Sequence, residues 1–289
     1  MSVKNLPIPV QGFDDHDSFS LEPQYGTLFR NVRSNRRRIE RAPGGTLMAP
    51  PPAQSLSISV VQGSFQSPLA TGAVVYSHLL GVTPKAFMFA ASRATVNTIE
   101  SGYATSIGFS DLTTEAGASH AVLNNTNVVN SWKGYENFSV FLIDGNGTEL
   151  IHGIVSAVSS TTFTINWTVV DATKSYTFSY TTLGGAGLSA KVVEWQSSGS
   201  TGNQAVTGVG FLPQIVFHVQ GRQTKATVRG AGVSLGFGVM DSAGDQWAVD
   251  SHSINNTHPA ITERGFKTDR CIIVLSGTAS DGTQGVRAI

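Results

Sequence analysis

A long-period internal repeat constrains the fold of this chain more than any other feature of its sequence. Short motifs recur in the same order at separations of 128 to 131 residues. The matched pairs are Gly81–Pro84 with Gly210–Pro213, Arg93 with Arg222, Ile107–Phe109 with Leu235–Phe237, and Gly134–Tyr135 with Gly265–Phe266. Because insertions and deletions fall in loops, a drift of a few residues leaves the order intact. The set predicts a tandem duplication of one domain, over residues 60–187 (repeat 1) and 190–289 (repeat 2).

Alternating side chains predict that the repeats are built from strands. Over 162–169, Phe163, Ile165 and Trp167 alternate with polar residues, and 175–182 alternates in the same way. A period of two places one face on a core and the other in water. Charged residues make up only 13% of the chain and Gly is frequent, with 31 residues, which suits many short strands and turns. We expect an all-β protein with two tandem, jelly-roll-like β-sandwich domains after an extended N-terminal arm.

The two repeats differ in length. Residues 147–154 of repeat 1 align with 282–289 of repeat 2, so the strands predicted at 162–169 and 175–182 have no counterpart in repeat 2. The loss of two strands would expose an apolar face and unpaired strand edges. Three explanations stay open: the natural chain continues beyond Ile289, a neighbouring chain donates strands, or repeat 2 is a reduced sandwich with a covered edge.

Residues 1–59 differ in character from the repeats, and we expect them to form an extended arm. The arm closes with a Pro-rich linker at 49–53 and carries a basic stretch before it. The basic residues are Arg30, Arg33, Arg36, Arg37, Arg38 and Arg41. Three roles fit them: docking on an acidic neighbouring subunit, binding nucleic acid, or forming a solvated charged tail. A net charge of zero and an acidic cluster at 14–17 argue against nucleic acid.

The sequence lacks the motifs that carry catalytic chemistry, so we expect no enzyme activity, no catalytic residues, no cofactor and no metal site. There is no His-Glu-x-x-His zinc motif, no Walker loop and no Gly-x-Ser-x-Gly elbow. The Gly-rich stretch 230–236 has no helix after it and is interpreted as a turn. Asp144–Gly147 lacks the distal Glu of a calcium loop and is interpreted as a hairpin turn. Cys271 stands in an apolar run and is expected in the core.

The repeated motif resembles virion proteins of tailed bacteriophages, of the tail, fibre or capsid-surface type. The resemblance is carried by Gly81 to Arg93 with Gly108-Phe109, by Gly210 to Arg222 with Gly236-Phe237, and by closing strands at 163–168. It covers about residues 60–289 and not the arm. It implies synthesis in the host cytoplasm, a place in the virion and contact with other virion subunits. It also implies symmetry-related copies of the chain, with a homotrimer as one option.

Three functions follow as hypotheses. The first is a structural component of the phage tail or its fibres, docked through the arm, and the second is a capsid decoration protein. The third is a carbohydrate-binding module that attaches to a host-surface glycan. Its candidate aromatic contacts are Trp132, Trp195 and Trp247, which otherwise would fill the core or the domain junction. Two or more exposed aromatic side chains on one shallow surface would favour glycan binding. No apolar run reaches 18 residues, so we expect no membrane-spanning segment.

Overall fold

The computed structural model describes residues 57–94, 102–123, 127–197, 202–221, 229–258 and 261–275, which all belong to one compact unit, Ala53–Ile289. These residues form strands, turns and loops without a helix, which confirms the predicted all-β class. The strands are β1 (Ser59–Gln66), β2 (Gly72–Ser77), β3 (Pro84–Ser92), β4 (Tyr103–Ser110), β5 (Glu115–Val122), β6 (Ser131–Glu136), β7 (Val140–Ile143), β8 (Glu149–Val158), β9 (Thr162–Val169), β10 (Thr177–Gly184), β11 (Ile215–Gln220), β12 (Arg229–Ala231), β13 (Val233–Asp241), β14 (Gln246–Ser253) and β15 (Thr262–Lys267).

The strands form three open antiparallel sheets. Sheet A has seven strands in the order β1-β10-β3-β4-β5-β6-β12. Sheet B has four strands in the order β2-β9-β8-β7, and sheet C has four in the order β11-β13-β14-β15. β12 lies in the sequence of repeat 2, yet it pairs with β6 of repeat 1. One sheet therefore runs through both repeats.

Sheets A and B pack face to face and enclose the main hydrophobic core. In β9 the side chains of Phe163, Ile165 and Trp167 are buried, while the residues between them are only partly buried. β3 supplies Phe87 and Phe89 from the opposite sheet, and the Phe87 and Phe163 rings lie 5.1 Å apart. Each such side chain contributes about 1.5–3 kcal/mol by leaving water. The alternation predicted over 162–169 is confirmed. Its apolar side chains form the side of β9 that packs against sheet A.

Repeat 2 reproduces the four-stranded meander of repeat 1. β3-β4-β5-β6 are consecutive neighbours in sheet A, and β11-β13-β14-β15 have the same order in sheet C. Each strand of sheet C begins 130 or 131 residues after its counterpart begins. Within the described residues no second sheet covers sheet C. Residues 271–275 lie on its inner face instead, where the backbone N–H of Leu275 donates to Asp250 at 2.7 Å. The boundaries 60–187 and 190–289 stay predictions.

The strand register corrects one alignment of the two repeats. The sequence match paired Gly108 with Gly236. In the ladders, Phe87 lies opposite Ser110, and the equivalent Val216 lies opposite Met240. Because pairing partners must correspond in both sheets, Ser110 is equivalent to Met240, and Gly108 is equivalent to Gly238. The sequence match was out of register by two residues, because repeat 2 has one Gly on each side of Phe237.

The corrected pairing brings out a shared close contact. A Cβ at Gly108 would overlap the carbonyl oxygen of Ser139, and a Cβ at Gly238 would overlap that of Cys271. Ser139 and Cys271 occupy equivalent places after the meander of each repeat. In both repeats the chain therefore passes over the second strand of the meander with the two backbones in contact, and only Gly fits at that point. Cys271 is fully buried at this crossing, as predicted for a core residue.

Asp residues anchor the tight turns. Asp111 follows β4 and Asp241 ends β13, at equivalent positions, and Oδ1 of each accepts backbone N–H groups of its turn at 2.7–3.0 Å. An Asp side chain that bonds the backbone two or three residues later is a common way to start a turn. The hairpin turn predicted at Asp144–Gly147 is confirmed, with the Gly147 N–H donating to the Asp144 carbonyl at 3.0 Å.

The Gly-rich stretch 230–236 is mostly strand, so its interpretation as a turn is wrong. Gly230 lies in β12 and Gly236 in β13, and only Gly232 separates the two strands, with a φ of 85°. Without side chains these positions carry no alternating pattern, and a strand built on them leaves no signal in the sequence.

We expect Gly108→Ala and Gly238→Ala each to lower the free energy of unfolding by about 3 kcal/mol or more, because the new Cβ would displace a backbone crossing. The matched control is Gly265→Ala in β15. There the nearest atom to a Cβ would be the terminal Cδ1 of Ile273 at 3.1 Å, which can shift. Denaturant unfolding of the three variants measures this. Equal, small losses in all three would contradict the shared crossing.

Candidate functional site

An apolar outer face on sheet C is the candidate functional site. Its side chains project from all four strands, on the side away from residues 271–275, and we call them the outer patch. The outer patch consists of Ile215, Phe217, Phe237, Val239, Trp247, Val249 and Phe266. Phe266 is 62% exposed and Trp247 is 38% exposed. Large apolar side chains that are contiguous and in contact with water mark an interaction surface, whereas single exposed ones do not.

The strand register places these residues on one side of the sheet. Directly paired residues of antiparallel strands point the same way. The cross-strand pairs are Phe217–Val239, Val239–Trp247, Phe237–Val249 and Val249–Phe266. The Phe237 ring lies 6.2 Å from that of Phe217 and 5.7 Å from that of Trp247. Three aromatic rings on three neighbouring strands therefore form one continuous surface.

β14 has the reverse of the usual arrangement of polar and apolar side chains. Asp250 and His252 point inward and are buried, while Trp247 and Val249 point outward and are exposed. An isolated soluble domain gains free energy from the opposite arrangement, because apolar burial is favourable and burial of a carboxylate is costly. The inversion leaves two large apolar side chains of β14 in contact with water.

The junction between the repeats lies at the edge of sheet A. β12 pairs antiparallel with β6, with Arg229 opposite Gly134. β13, which follows β12, packs across β5 and β6. The hydroxyl of Tyr135 donates to the carbonyl oxygen of Ser234 at 2.6 Å. Repeat 2 therefore covers both the edge of β6 and part of the outer face of repeat 1.

Charged groups at the junction are paired. The ammonium group of Lys133 donates to the carbonyl of Ala231 at 3.0 Å. The guanidinium of Arg229 donates to Glu136 at 2.8 Å and to Glu149 at 3.1 Å. Both carboxylates are largely shielded from water, so losing one partner would leave a poorly solvated charge. These contacts fix the position of β12 on β6.

Asp250 is a buried carboxyl beside the junction. Its Oδ2 accepts the backbone N–H of Leu275. Burial raises the pKa of Asp250 to about 7, although hydrogen bonds from the backbone N–H groups of Leu275 and Ser251 lower it. Nearby, burial and then the charge of Asp250 raise the pKa of Tyr135 well above its usual value, so the phenol stays protonated as a donor.

The linker between β10 and β11 is held against the turn after β4. The Asp111 carboxylate accepts the backbone N–H of Val192 at 2.9 Å and pairs with Lys191 at 2.9 Å. Burial raises the pKa of Asp111, but hydrogen bonds from the turn and the linker outweigh it and hold the pKa well below its usual range.

An open cleft of about 400 Å³ lies beside Asp111, lined by Lys85, Asp111, Leu112, Ser189, Ala190, Val209, Gly210 and Phe211. Lys85 also holds the linker, since it donates to the Leu188 carbonyl at 2.7 Å.

The residues singled out from the sequence lie in different places. Trp132 packs beside the buried Phe141 and Ile143, and Trp195 lies in the linker, 6.4 Å from the His218 ring. Trp247 alone of the three lies in the outer patch. The arm residues Arg30, Arg33, Arg36, Arg37, Arg38 and Arg41 lie outside the described residues, as does Arg222, and the docking role of the arm stays a prediction.

Sequence reasoning missed the Phe residues of the outer patch. Phe217 stands in the run 215–219, where apolar residues occupy both faces and no alternation shows which one is buried. In the sequence, Phe266 stands out only as the repeat counterpart of Tyr135. The repeat itself held the signal, because Tyr135, the counterpart of Phe266, bonds to repeat 2.

Comparison of the chain with protein-family models, with curated proteins and with solved structures finds no match. Among the residues described above, no three His, Cys, Asp or Glu side chains stand close enough together to hold a metal ion. Nor does that part of the chain contain a helix with the length and hydropathy to cross a membrane.

The raised pKa of Asp250 predicts a pH-dependent stability. An acid with a folded-state pKa above its unfolded value of 3.8 contributes stability below about pH 4, and this is lost as the pH rises through about 7. Relative to Asp250→Asn, the wild-type chain is expected to lose up to about 4 kcal/mol between pH 4 and pH 8. Denaturant unfolding across this range measures it. Asp171→Asn is the control, because hydrogen bonds lower the pKa of Asp171 to about 2, despite burial, and place its titration below this range. A difference that does not change with pH would contradict the burial of a protonated Asp250.

Proposed function

We propose that the chain is a non-enzymatic structural subunit of a larger particle, and that the outer patch contacts a neighbouring protein subunit. The outer patch is the observation that carries the proposal. It is apolar and exposed, and on β14 the polar side chains of Asp250 and His252 face inward. Covering it with a protein partner would gain about 25 cal/mol for each Å² of apolar surface removed from water.

The particle in this proposal is the virion of a tailed phage, and the chain belongs to its tail or tail fibres. The Gly-x-x-Pro repeats support this through their resemblance to virion proteins, and the β-sandwich architecture agrees with it. In the same proposal the N-terminal arm, residues 1–59, docks on an acidic neighbour. A capsid decoration protein would contact its neighbour through the same outer patch on sheet C. The tail and capsid alternatives therefore differ in the partner, and not in the surface of this chain that binds it.

A structural subunit is expected to sediment with intact particles. Particles from the source culture would be separated on a density gradient, and the chain detected by antibody in each fraction. Most of the chain should lie in the particle band, and after disruption of the particles it should follow the tails. A soluble cytoplasmic protein of the host serves as the control. Recovery of the chain only in the soluble fractions would contradict the proposal.

A second candidate is contact with a host-surface glycan, and the exposed rings favour it. Phe217, Trp247 and Phe266 meet the condition of at least two exposed aromatic side chains on one shallow surface. An aromatic ring can stack on the apolar face of a sugar while neighbouring polar groups bond its hydroxyls. Of the aromatic contacts predicted from the sequence, Trp247 is the one on this surface.

If the outer patch binds a glycan, Trp247→Ala is expected to weaken binding by at least about tenfold, which corresponds to about 1.4 kcal/mol. Binding of the full chain to immobilised host-surface polysaccharides measures this. Leu79→Ala is the matched control, because Leu79 is exposed but lies on the loop after β2, outside the outer patch. Equal binding by both variants, or no binding by the wild-type chain, would exclude this function for the outer patch.

A further inference from the structure

Each half of the junction between the repeats has a counterpart elsewhere on the molecule. The receiving half is β6 with the outer face of β5, and its counterpart in repeat 2 is β15 with the outer face of β14. The inserted half includes the start of β13, and its counterpart in repeat 1 is the start of β4. Since the meander β3-β4-β5-β6 of sheet A matches β11-β13-β14-β15 of sheet C strand by strand, these surfaces can be compared position by position.

The receiving surface is occupied in repeat 1 and open in repeat 2. In repeat 1, Ala118 on β5 is 1% exposed, and Tyr135 on β6 bonds to β13 of repeat 2. The equivalent residues of repeat 2, Val249 and Phe266, are 37% and 62% exposed. β6 has β12 on its edge, whereas β15 is an edge strand of sheet C within the described residues.

The inserted surface shows the opposite relation. Val233, the first residue of β13, is 3% exposed, whereas Tyr103, the first residue of β4, is 50% exposed. The preceding residues, Gly232 and Gly102, have φ values of 85° and 90°, so the chain enters both strands in the same way. Among the described residues, one molecule therefore carries an open receiving surface on repeat 2 and an open inserting surface on repeat 1.

The charged residues of the two receiving strands agree with this comparison. Lys133 on β6 bonds the Ala231 carbonyl of the inserted half, and its equivalent on β15 is another cation, Arg264, which is exposed. Charged side chains often protect an edge strand from pairing. β6 carries Lys133 and Glu136 and is nevertheless paired, so the charges on β15 do not exclude an added strand.

We propose that β15 and the outer patch receive repeat 1 of a second molecule of this chain, in the arrangement in which β6 receives repeat 2 within one molecule. The inference rests on the proposed structural function and identifies the neighbouring subunit as another copy. The contact joins two different surfaces, so it is head-to-tail. Successive molecules then form a closed ring, if the rotation closes, or an open filament.

Two variants with complementary defects test the proposal in the full chain. Phe266→Asp places a charge on the receiving surface, and Tyr103→Asp places one on the inserting surface. Each variant alone is expected to weaken self-association by at least about 100-fold, because an unpaired charge would be buried. An equimolar mixture still has one intact pair of surfaces, so it should form a one-to-one dimer and nothing larger. Sedimentation velocity over a range of concentrations measures all of these.

The controls keep the test decisive. Leu79→Asp, at an exposed residue outside both surfaces, should associate like the wild-type chain. The Tyr103 hydroxyl bonds the buried His120, so circular dichroism must first show that Tyr103→Asp is folded. If it is not, Val122→Asp takes its place, since Val122 lies opposite Tyr103 on the same face.

Several results would overturn the head-to-tail contact. They are a wild-type chain that stays monomeric at every concentration, association that survives either variant, and a mixture that forms no dimer. Loss of association in Phe266→Asp but not in Tyr103→Asp would mean that two outer patches meet each other. A lower melting temperature of Phe266→Asp with unchanged association would mean that a segment of the same chain covers the patch. Particle sedimentation tests the structural function separately. A monomeric chain that still sediments with particles would contradict only the head-to-tail contact.

Discussion

The fold depends on one backbone crossing that occurs in each repeat. After the four-stranded meander, the chain returns over its second strand so closely that the carbonyl oxygen of Ser139 or Cys271 occupies the space of a side chain. Gly108 and Gly238 make room for it. The crossing fixes the distance between the meander and the segment that follows it. This distance decides which side chains of the meander are enclosed. In repeat 1 the segment continues into sheet B, and the Phe-rich core forms between the two sheets.

The second constraint is that the repeats share a sheet. Three residues of repeat 2 extend sheet A at β6, and the ion pairs of Arg229 hold them there. Repeat 2 is therefore attached through backbone pairing and not through the linker alone. This arrangement uses part of the outer face of repeat 1 as an interface, whereas the equivalent face of repeat 2 is exposed in the described residues.

Much of the architecture could be predicted from the sequence, and the limits have physical causes. The alternation of Phe163, Ile165 and Trp167 reports a one-sided burial, and the structure confirms the strand. The repeat was detectable because motifs stay in order, but its register near Gly236 was wrong, since Gly residues do not distinguish neighbouring positions. β12 was not predicted, because three residues are too few to show an alternating pattern and two of them, Gly230 and Ala231, have little or no side chain. The outer patch was missed except for Trp247, because alternation shows that a strand has two faces without showing which one is inside, and in β14 the polar face is the inner one.

The linker that joins β10 to β11 has a consequence for the order in which contacts form. It spans residues 185–214 and keeps repeat 2 within reach of β6, at an effective concentration on the order of millimolar for a flexible tether. A free molecule at micromolar concentration competes poorly for the same edge. The chain therefore closes its own junction first, and exchange of repeats between molecules is suppressed before any larger structure can grow.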